Sequence, residues 1–396
     1  MGTHSTTPPQ DFLVWLNQAS FPPHPLTPPR FQDGTRGLVA TKAIQAGEPL
    51  VVIPSTLLLT KDRVLSILPI NAHTIASSIP AQALLGAYIA MKKFKKDVSG
   101  GEWGPYIHLL PNDYPTIPLL YPASLMPLLP HAILQKVKEQ KRLVDEAYIM
   151  VLQIPGWDTL TEDEFKWGWL TVNTRCIYLD QGGREKEDRL AVAPFLDIPP
   201  HDPTTSVTGG MNHTKDAYPP HTHRSIQMGE QYGFTSWPGN PHQSYQLEDT
   251  LVFDLLPPLS PSDREDRLRT LRESPFYGDY SLHSGEMSYR LEITLYLWAL
   301  LPGPDYPVSL ALWQDLVNGM VEEEALGKGV MRRMRVLAHQ VADLITSQAT
   351  ARLSSLKAAN SSHENPEVCA CLTSIWSEAK EIAQSIYEAY PLIPPQ

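Results

Sequence analysis

The sequence predicts an α+β chain in two parts: a front portion of short strands interrupted by helical stretches, and a back portion, from about residue 261, built of helices. Three observations carry that expectation. Glycines bracket short apolar runs within residues 34–53, the pattern of tight turns between strands. Apolar residues recur at helical spacing over 81–95 and again over 132–152. Beyond Pro261 a highly charged segment, 262–272, is followed by amphipathic stretches over 287–301, 310–325, 329–356 and 366–390.

Taken in order, residues 1–30 form a polar, proline-rich lead, with a short helix expected over 11–18 and an extended linker over 22–29. Gly34 and Gly37 then bracket a tight turn, 38–40 reads as a strand, and Ala46-Gly47 turns the chain into a second strand over 49–53. Residues 54–160 read as helical. Thr161 and Glu164 form a capping box, each side chain meeting a backbone N–H that has no partner inside the helix, so a helix is expected to start there. Phe165, Trp169, Val172 and Cys176 follow on one face, and Thr174 and Arg175 fall at the C-terminal end. An arginine at that end complements the helix dipole, and its planar fork either holds a carboxylate through two bonds or makes a surface salt bridge. After the apolar run 190–197, residues 199–220 and 237–242 are rich in Pro, His, Gly and Asn and read as loops.

Composition excludes several classes of function. The 396 residues accommodate one large domain or two ordinary ones, and 42% hydrophobic content is enough to fill their cores. With 43 acidic against 32 basic residues the net charge is −11, which repels a phosphate backbone, so no nucleic-acid partner is expected. Basic protein tails remain compatible. Cys176, Cys369 and Cys371 make no disulfide framework and fit a reducing compartment, cytoplasm or nucleus. No membrane association is expected, because the longest apolar run, 291–301, is too short and contains Glu292. The first six residues match the N-myristoylation pattern loosely, without a second anchor beside it. His201, His213, His221, His223 and His242 invite a metal reading, but no ligand spacing on a regular element supports it, and no metal is expected.

Four blocks, in this order, resemble the SET-domain protein methyltransferases typified by the plant Rubisco large-subunit lysine methyltransferase and the fungal ribosomal-protein methyltransferases. They are the glycine-bracketed segment 34–47, the segment 102–111 with Trp103 and Tyr106, the tryptophan-rich segment 165–179, and the run 190–197 together with Gly229-Glu-Gln-Tyr-Gly-Phe234. The resemblance implies a SET-domain β-fold of short strands over 31–260, a helical insert over about 54–160, and an all-helical C-terminal domain over 261–396 that helps to bind a protein substrate. It implies that Trp103 and Tyr106 pack the insert on the SET sheet as core residues. It also implies S-adenosyl-L-methionine as cofactor and lysine methylation as the reaction, with histidine the acceptor in some relatives. The protein partner is then a ribosomal or other cytosolic protein.

Carried over residue by residue, the resemblance gives Arg36, Gly37 and Leu38 to the first cofactor loop, Thr174 and Arg175 to the cofactor side of the substrate pocket, and Ile177 to its wall. Asp197 matches the aspartate before the family's Asn-His pair, which here reads Pro200-His201: the asparagine is missing and proline removes a backbone donor. The chain also runs from Gln231 straight to Tyr232, without the strand and turn that carry the family's catalytic tyrosine. Tyr232 and Phe234 then correspond to a later Tyr-Gly-Phe, lining the lysine channel and packing on the adenine. A shifted alignment makes Tyr232 the catalytic residue. Two readings follow: a methyltransferase impaired by these losses, and a catalytically inactive SET-fold protein that serves as a protein-binding module.

Overall fold

The computed structural model describes residues 10–26, 30–32, 35–37, 40–45, 50–95, 102–179, 188–196, 244–255, 259–360 and 365–394. The chain divides into two units, one formed by residues 1–114 with 138–222 and the other by 115–137 with 223–396.

The first unit is organised on two crossed helices. Helix α4 (Ala81–Phe94) is buried almost throughout, and α7 (Glu162–Arg175) buries Phe165, Trp167, Trp169, Leu170, Thr171 and Val172. The capping box forms as the sequence predicts: the Glu164 N–H donates to Thr161 Oγ1 at 3.3 Å, and the Thr161 N–H donates to Glu164 Oε2 at 2.9 Å. Phe165, Trp169 and Val172 are buried on the face that the apolar spacing predicts, and Trp167, Leu170 and Thr171 are buried besides, so the helix is enclosed on several sides. At the crossing, Gly86 of α4 meets Gly168 of α7 backbone to backbone. A Cβ on Gly168 would lie 2.1 Å from the Gly86 carbonyl oxygen, and one on Gly86 would lie 2.9 Å from the Gly168 carbonyl carbon. Glycine here permits a separation that no other residue allows.

Beside this pair lies a three-stranded antiparallel sheet in the order β3 (Leu59–Thr60), β5 (Leu190–Val192), β4 (Cys176–Tyr178). Its central strand is buried along its length, which is why 190–192 reads as an unbroken apolar run and not as an alternation. Leu59 sits opposite Val192, and Ile177 sits opposite Ala191. Lys61, only 8% exposed, opens α2 (Lys61–Ile67) and donates to both oxygens of Asp188, at 3.0 and 2.9 Å. Asp188 Oδ1 also accepts from the Ala81 N–H at 3.3 Å, so one carboxylate ties the start of α4 to the entry of β5.

Trp103 and Tyr106 are core residues, as expected. The Trp103 indole donates to the Leu57 carbonyl at 3.0 Å, while Tyr106, on α5 (Gly104–Leu109), faces Phe12 of α1 (Gln10–Gln18) with ring centroids 6.4 Å apart. The strand predicted over 49–53 is absent from its described residues, 50–53; Ile53 is buried without joining a ladder, and β3 takes the position beside β5 instead. In the front hairpin, β1 (Arg30–Gln32) pairs with β2 (Thr35–Gly37), so a strand stands where the sequence predicts a tight turn between Gly34 and Gly37; residues 38 and 39 of the strand predicted over 38–40 lie outside the described residues.

The second unit holds the C-terminal helices. Helix α12 (Lys328–Asn360) runs against α13 (Pro366–Ala389), with Leu337, Val341 and Ile345 on one and Leu372, Ile375 and Ile382 on the other buried in a common core. Helices α9 (Pro261–Arg272), α10 (Tyr289–Ala299) and α11 (Tyr306–Val317) complete it with the short α8 (Asp249–Leu255). Arg267 is fully buried and acts as a cap: its guanidinium donates to the Leu297 and Leu300 carbonyls at 2.5 and 2.8 Å, where α10 ends and its last carbonyls run short of backbone donors. The region beyond 261 is helical except for β7 (Ser281–His283) and β8 (Glu286–Met287), which join β6 (Ser244–Gln246) in a second three-stranded sheet. Strands of two or three residues leave too short an alternation to register in sequence. Helix α6 (His131–Val151) contains the boundary between the two units.

Candidate functional site

Helix α7 delivers Thr174 and Arg175 to the point where the chain turns into β4. Cys176 ends the helix in an extended conformation, its N–H still donating to the Val172 carbonyl, so the last helical turn and the first strand residue are continuous. The position of that junction follows from contacts further back. Thr171 Oγ1 lies 2.9 Å from both the Tyr114 hydroxyl and the Trp167 carbonyl, and the Trp167 indole donates to the Pro111 carbonyl at 2.9 Å.

Thr174 is half-buried and donates its hydroxyl proton to the Leu170 carbonyl at 2.8 Å, which leaves the oxygen's lone pairs to accept. Arg175 is half-buried in the last turn, where the exposed carbonyls favour a cation. Ile177 lies in the middle of β4, half-buried, on the sheet face opposite to Cys176 and Tyr178. Burial pushes the Cys176 thiol up to about 11, so it is not a thiolate at neutral pH.

From β5 the chain reaches Phe195, which is 1% exposed and adopts φ +81°, a left-handed conformation unusual for a bulky residue. Its ring packs against Phe21 at 5.1 Å and His24 at 4.7 Å between centroids. Burial lowers the pKa of His24 below the usual imidazole range. The segment holding these two residues then contacts the chain beyond β2: Leu26 bridges Ala40, and the Thr41 N–H donates to the Pro25 carbonyl at 2.8 Å. Residues 22–26 are therefore docked, where the sequence predicts an extended linker.

These contacts link the flanks of three separated blocks. Gly37 of β2 lies three residues before Ala40, and Cys176, which follows Thr174-Arg175, pairs with Val192, three residues before Phe195. Arg36 and Gly37 are paired in β2 with Phe31 and Arg30, and the outer edge of β2 has no partner strand among the described residues. An unpaired edge beside a glycine offers backbone N–H and C=O groups to a ligand at close range. Leu38, Asp197, His201, Tyr232 and Phe234 lie outside the described residues. So does the histidine-rich stretch, and among the described residues no group of His, Cys, Asp and Glu could hold a metal ion. No described helix is long and apolar enough to cross a membrane.

Sequence reasoning missed Phe21, His24, Lys61, Asp188 and the glycine pair. Gly168, set between two tryptophans, carried a signal that could have been read as a close helix approach; the others carried none, since each depends on a partner far along the chain.

No protein-family model matches the sequence. SET domain-containing protein 4 of Mus musculus is 26% identical over 345 residues, covering 79% of this chain and 77% of its own. The Homo sapiens protein of that name is 25% identical over 72% of this chain and 71% of its own. Ribosomal lysine N-methyltransferase set11 of Schizosaccharomyces pombe is 30% identical over 166 residues, 38% of this chain and 42% of its own. Among solved structures, Rubisco LSMT bound to AdoMet superposes with TM-score 0.60 at 15% identity, over 96% of this chain and 91% of that one. The SET domain of LSMT bound to lysine and AdoHcy superposes equally well, over 96% and 90%. Likeness of sequence over most of the chain and of fold over nearly all of it point the same way: the chain is similar in sequence to SET domain-containing proteins and shares the fold of the Rubisco LSMT structures.

Proposed function

We propose that the chain is an S-adenosylmethionine-dependent protein-lysine N-methyltransferase acting on a ribosomal or other protein of the cytoplasm or nucleus. The observation that supports this best is the linkage of the three block flanks, through β4–β5 pairing and the Phe21–His24–Phe195 cluster, in a fold shared with structures that hold AdoMet, lysine and AdoHcy. In this reading Arg36, Gly37, Leu38, Thr174, Arg175, Asp197, His201 and Phe234 hold the cofactor, and Ile177 and Tyr232 line the lysine channel. S-adenosylmethionine supplies a methyl group on a sulfonium, open to in-line displacement by an amine.

A lysine with pKa about 10.4 enters protonated at neutral pH, and burial between apolar and aromatic walls disfavours that charge. Ile177 contributes apolar wall, Tyr232 contributes an aromatic face for the entering ammonium and a hydroxyl that aligns the amine. Neither a metal nor an acid–base pair is needed. Pro200 in place of asparagine and the junction at Gln231-Tyr232 weaken the site. Loss of one buried hydrogen-bonding partner costs about 1–3 kcal/mol, so cofactor affinity falls by about tenfold or more.

The test pairs calorimetric titration of S-adenosylmethionine with transfer of labelled methyl to a cell extract. Binding that tightens by about tenfold in Pro200→Asn, with weak labelling that Tyr232→Phe removes, is the expected result. Tyr232→Phe with unchanged labelling takes Tyr232 out of the catalytic role. Absence of both binding and labelling overturns the reading in favour of an inactive SET-fold protein-binding module.

A further inference from the structure

The second unit contains a cavity of about 270 Å³ that the methyltransferase reading does not use. Four separate stretches line it: the turn into α6 with Leu129, His131 and Leu134, the end of β6 with Tyr245 and Glu248, α12 with Ile345 and Arg352, and Trp376 on α13. Its lower wall is apolar and aromatic. Tyr245 and Trp376 stand with ring centroids 6.2 Å apart, and the Trp376 indole N–H is already committed to the Leu128 carbonyl at 2.7 Å, so Trp376 offers the cavity its ring and no donor.

Two polar groups in the wall differ from the rest. Tyr245 is 5% exposed, yet its hydroxyl makes no hydrogen bond among the described residues. Tyr245 stands in the cavity wall, and its hydroxyl is free to bond a ligand or water there. Arg352 is half-buried and makes no ion pair or hydrogen bond among the described residues. Its charge still reaches Tyr245, where it draws the phenol pKa down against the larger upward push of burial. Burial wins, so the phenol stays a donor at neutral pH. Glu248, the acid in the same wall, is engaged by His131, Nδ1 to Oε2 at 3.0 Å.

We infer that this cavity is a carboxylate-binding site, in which the Arg352 guanidinium and the Tyr245 hydroxyl hold the carboxylate and the apolar remainder of the ligand lies against Leu134, Ile345 and Trp376. An arginine fork matches the two oxygens of a carboxylate, and a phenol adds a third, neutral donor. The volume limits the occupant. Sites for drug-sized molecules run to about 300–1,000 Å³, so this one takes a group of about the size of a single amino-acid residue. Such a carboxylate comes either from a free short-chain acid or from the C-terminal residue of a peptide.

Both sources are tested on the full chain by calorimetry, with 4-methylpentanoate as the free acid and a tetrapeptide ending in leucine, once with a free carboxyl terminus and once amidated. Expected is binding of at least one carboxylate probe, no binding of the amidated peptide, and affinity reduced by about tenfold or more in Arg352→Met and partly restored in Arg352→Lys. Binding of the peptide alone identifies a protein terminus as the source; binding of the acid as well identifies a small molecule. Tyr245→Phe weakens either by a smaller factor without altering the wall's shape, which guards against a fold defect in the arginine variants; circular dichroism checks all three. Failure of both carboxylate probes to bind at millimolar concentration overturns the proposal. So does equal binding of the amide, or binding unchanged by Arg352→Met.

Discussion

The α4–α7 pair of the first unit and the α12–α13 pair of the second are both buried helix contacts, and they are held together by different physics. In the first, Gly86 and Gly168 bring two backbones into direct contact, and no side chain separates them. In the second, layers of Leu, Val, Ile and Ala interdigitate between helices of 33 and 24 residues. A backbone contact has no rotamers through which to relax. A side-chain layer redistributes small volume changes among many neighbours. The first contact should therefore be brittle and the second forgiving, and the difference falls where function is concerned, since α7 carries Thr174 and Arg175 at its end.

The sharpest test of that difference is Gly168→Ala. The added methyl must displace the Gly86 carbonyl, and a loss of about 3 kcal/mol or more in urea unfolding is expected. A loss below about 1 kcal/mol would show that the helices give way easily and would dissolve the contrast. Next comes Asp188→Ala, which strands the buried Lys61 ammonium and uncaps Ala81; because the Asp188 side chain is 32% exposed, about 2 kcal/mol is expected, less than for a sealed pair. Lys61→Met combined with Asp188→Leu should recover most of it, because no charge is then left unpaired. In the second unit, Ile345→Val or Ile382→Val should cost only about 1 kcal/mol, with the two additive only if their layers relax independently.

The smallest effect concerns His24. Its folded pKa lies below its unfolded value, so the unfolded chain takes up a proton first as pH falls. The stability contributed is complete above about pH 6.5 and declines as the solution is acidified below that value. Urea midpoints of the wild type should fall more steeply across that range than those of His24→Gln. Equal slopes would mean that folding leaves the His24 pKa where it is in the unfolded chain.

Much of the helical framework was legible because its determinants are local. Thr161 and Glu164 lie three residues apart and specify the start of α7 wherever the rest of the chain goes. The same holds for α4, α6, α12 and α13, whose apolar spacing sets their limits to within a few residues. The segment 49–53 misled for the converse reason: an apolar run can be buried without a ladder, and the place beside β5 is held by β3. Of the site, Thr174 and Arg175 were placed correctly at a helix end, because capping and helix length determine that, whereas the strand that begins at Cys176 and holds Ile177 was not legible in the helical spacing.

What the sequence determined by itself was thus most of the helices, though not α8, together with the order of the blocks that resemble the SET-domain group and the two departures at Pro200 and Gln231-Tyr232, all of which are written in neighbouring residues. Only the tertiary structure decided that Phe195 meets Phe21 and His24, that Asp188 joins Lys61 and Ala81, that Gly86 faces Gly168, and that Arg352 and Tyr245 share a cavity. Each of these joins residues between 82 and 174 positions apart. Such contacts come from how buried surfaces fit together once the helices exist, and no short-range periodicity encodes them.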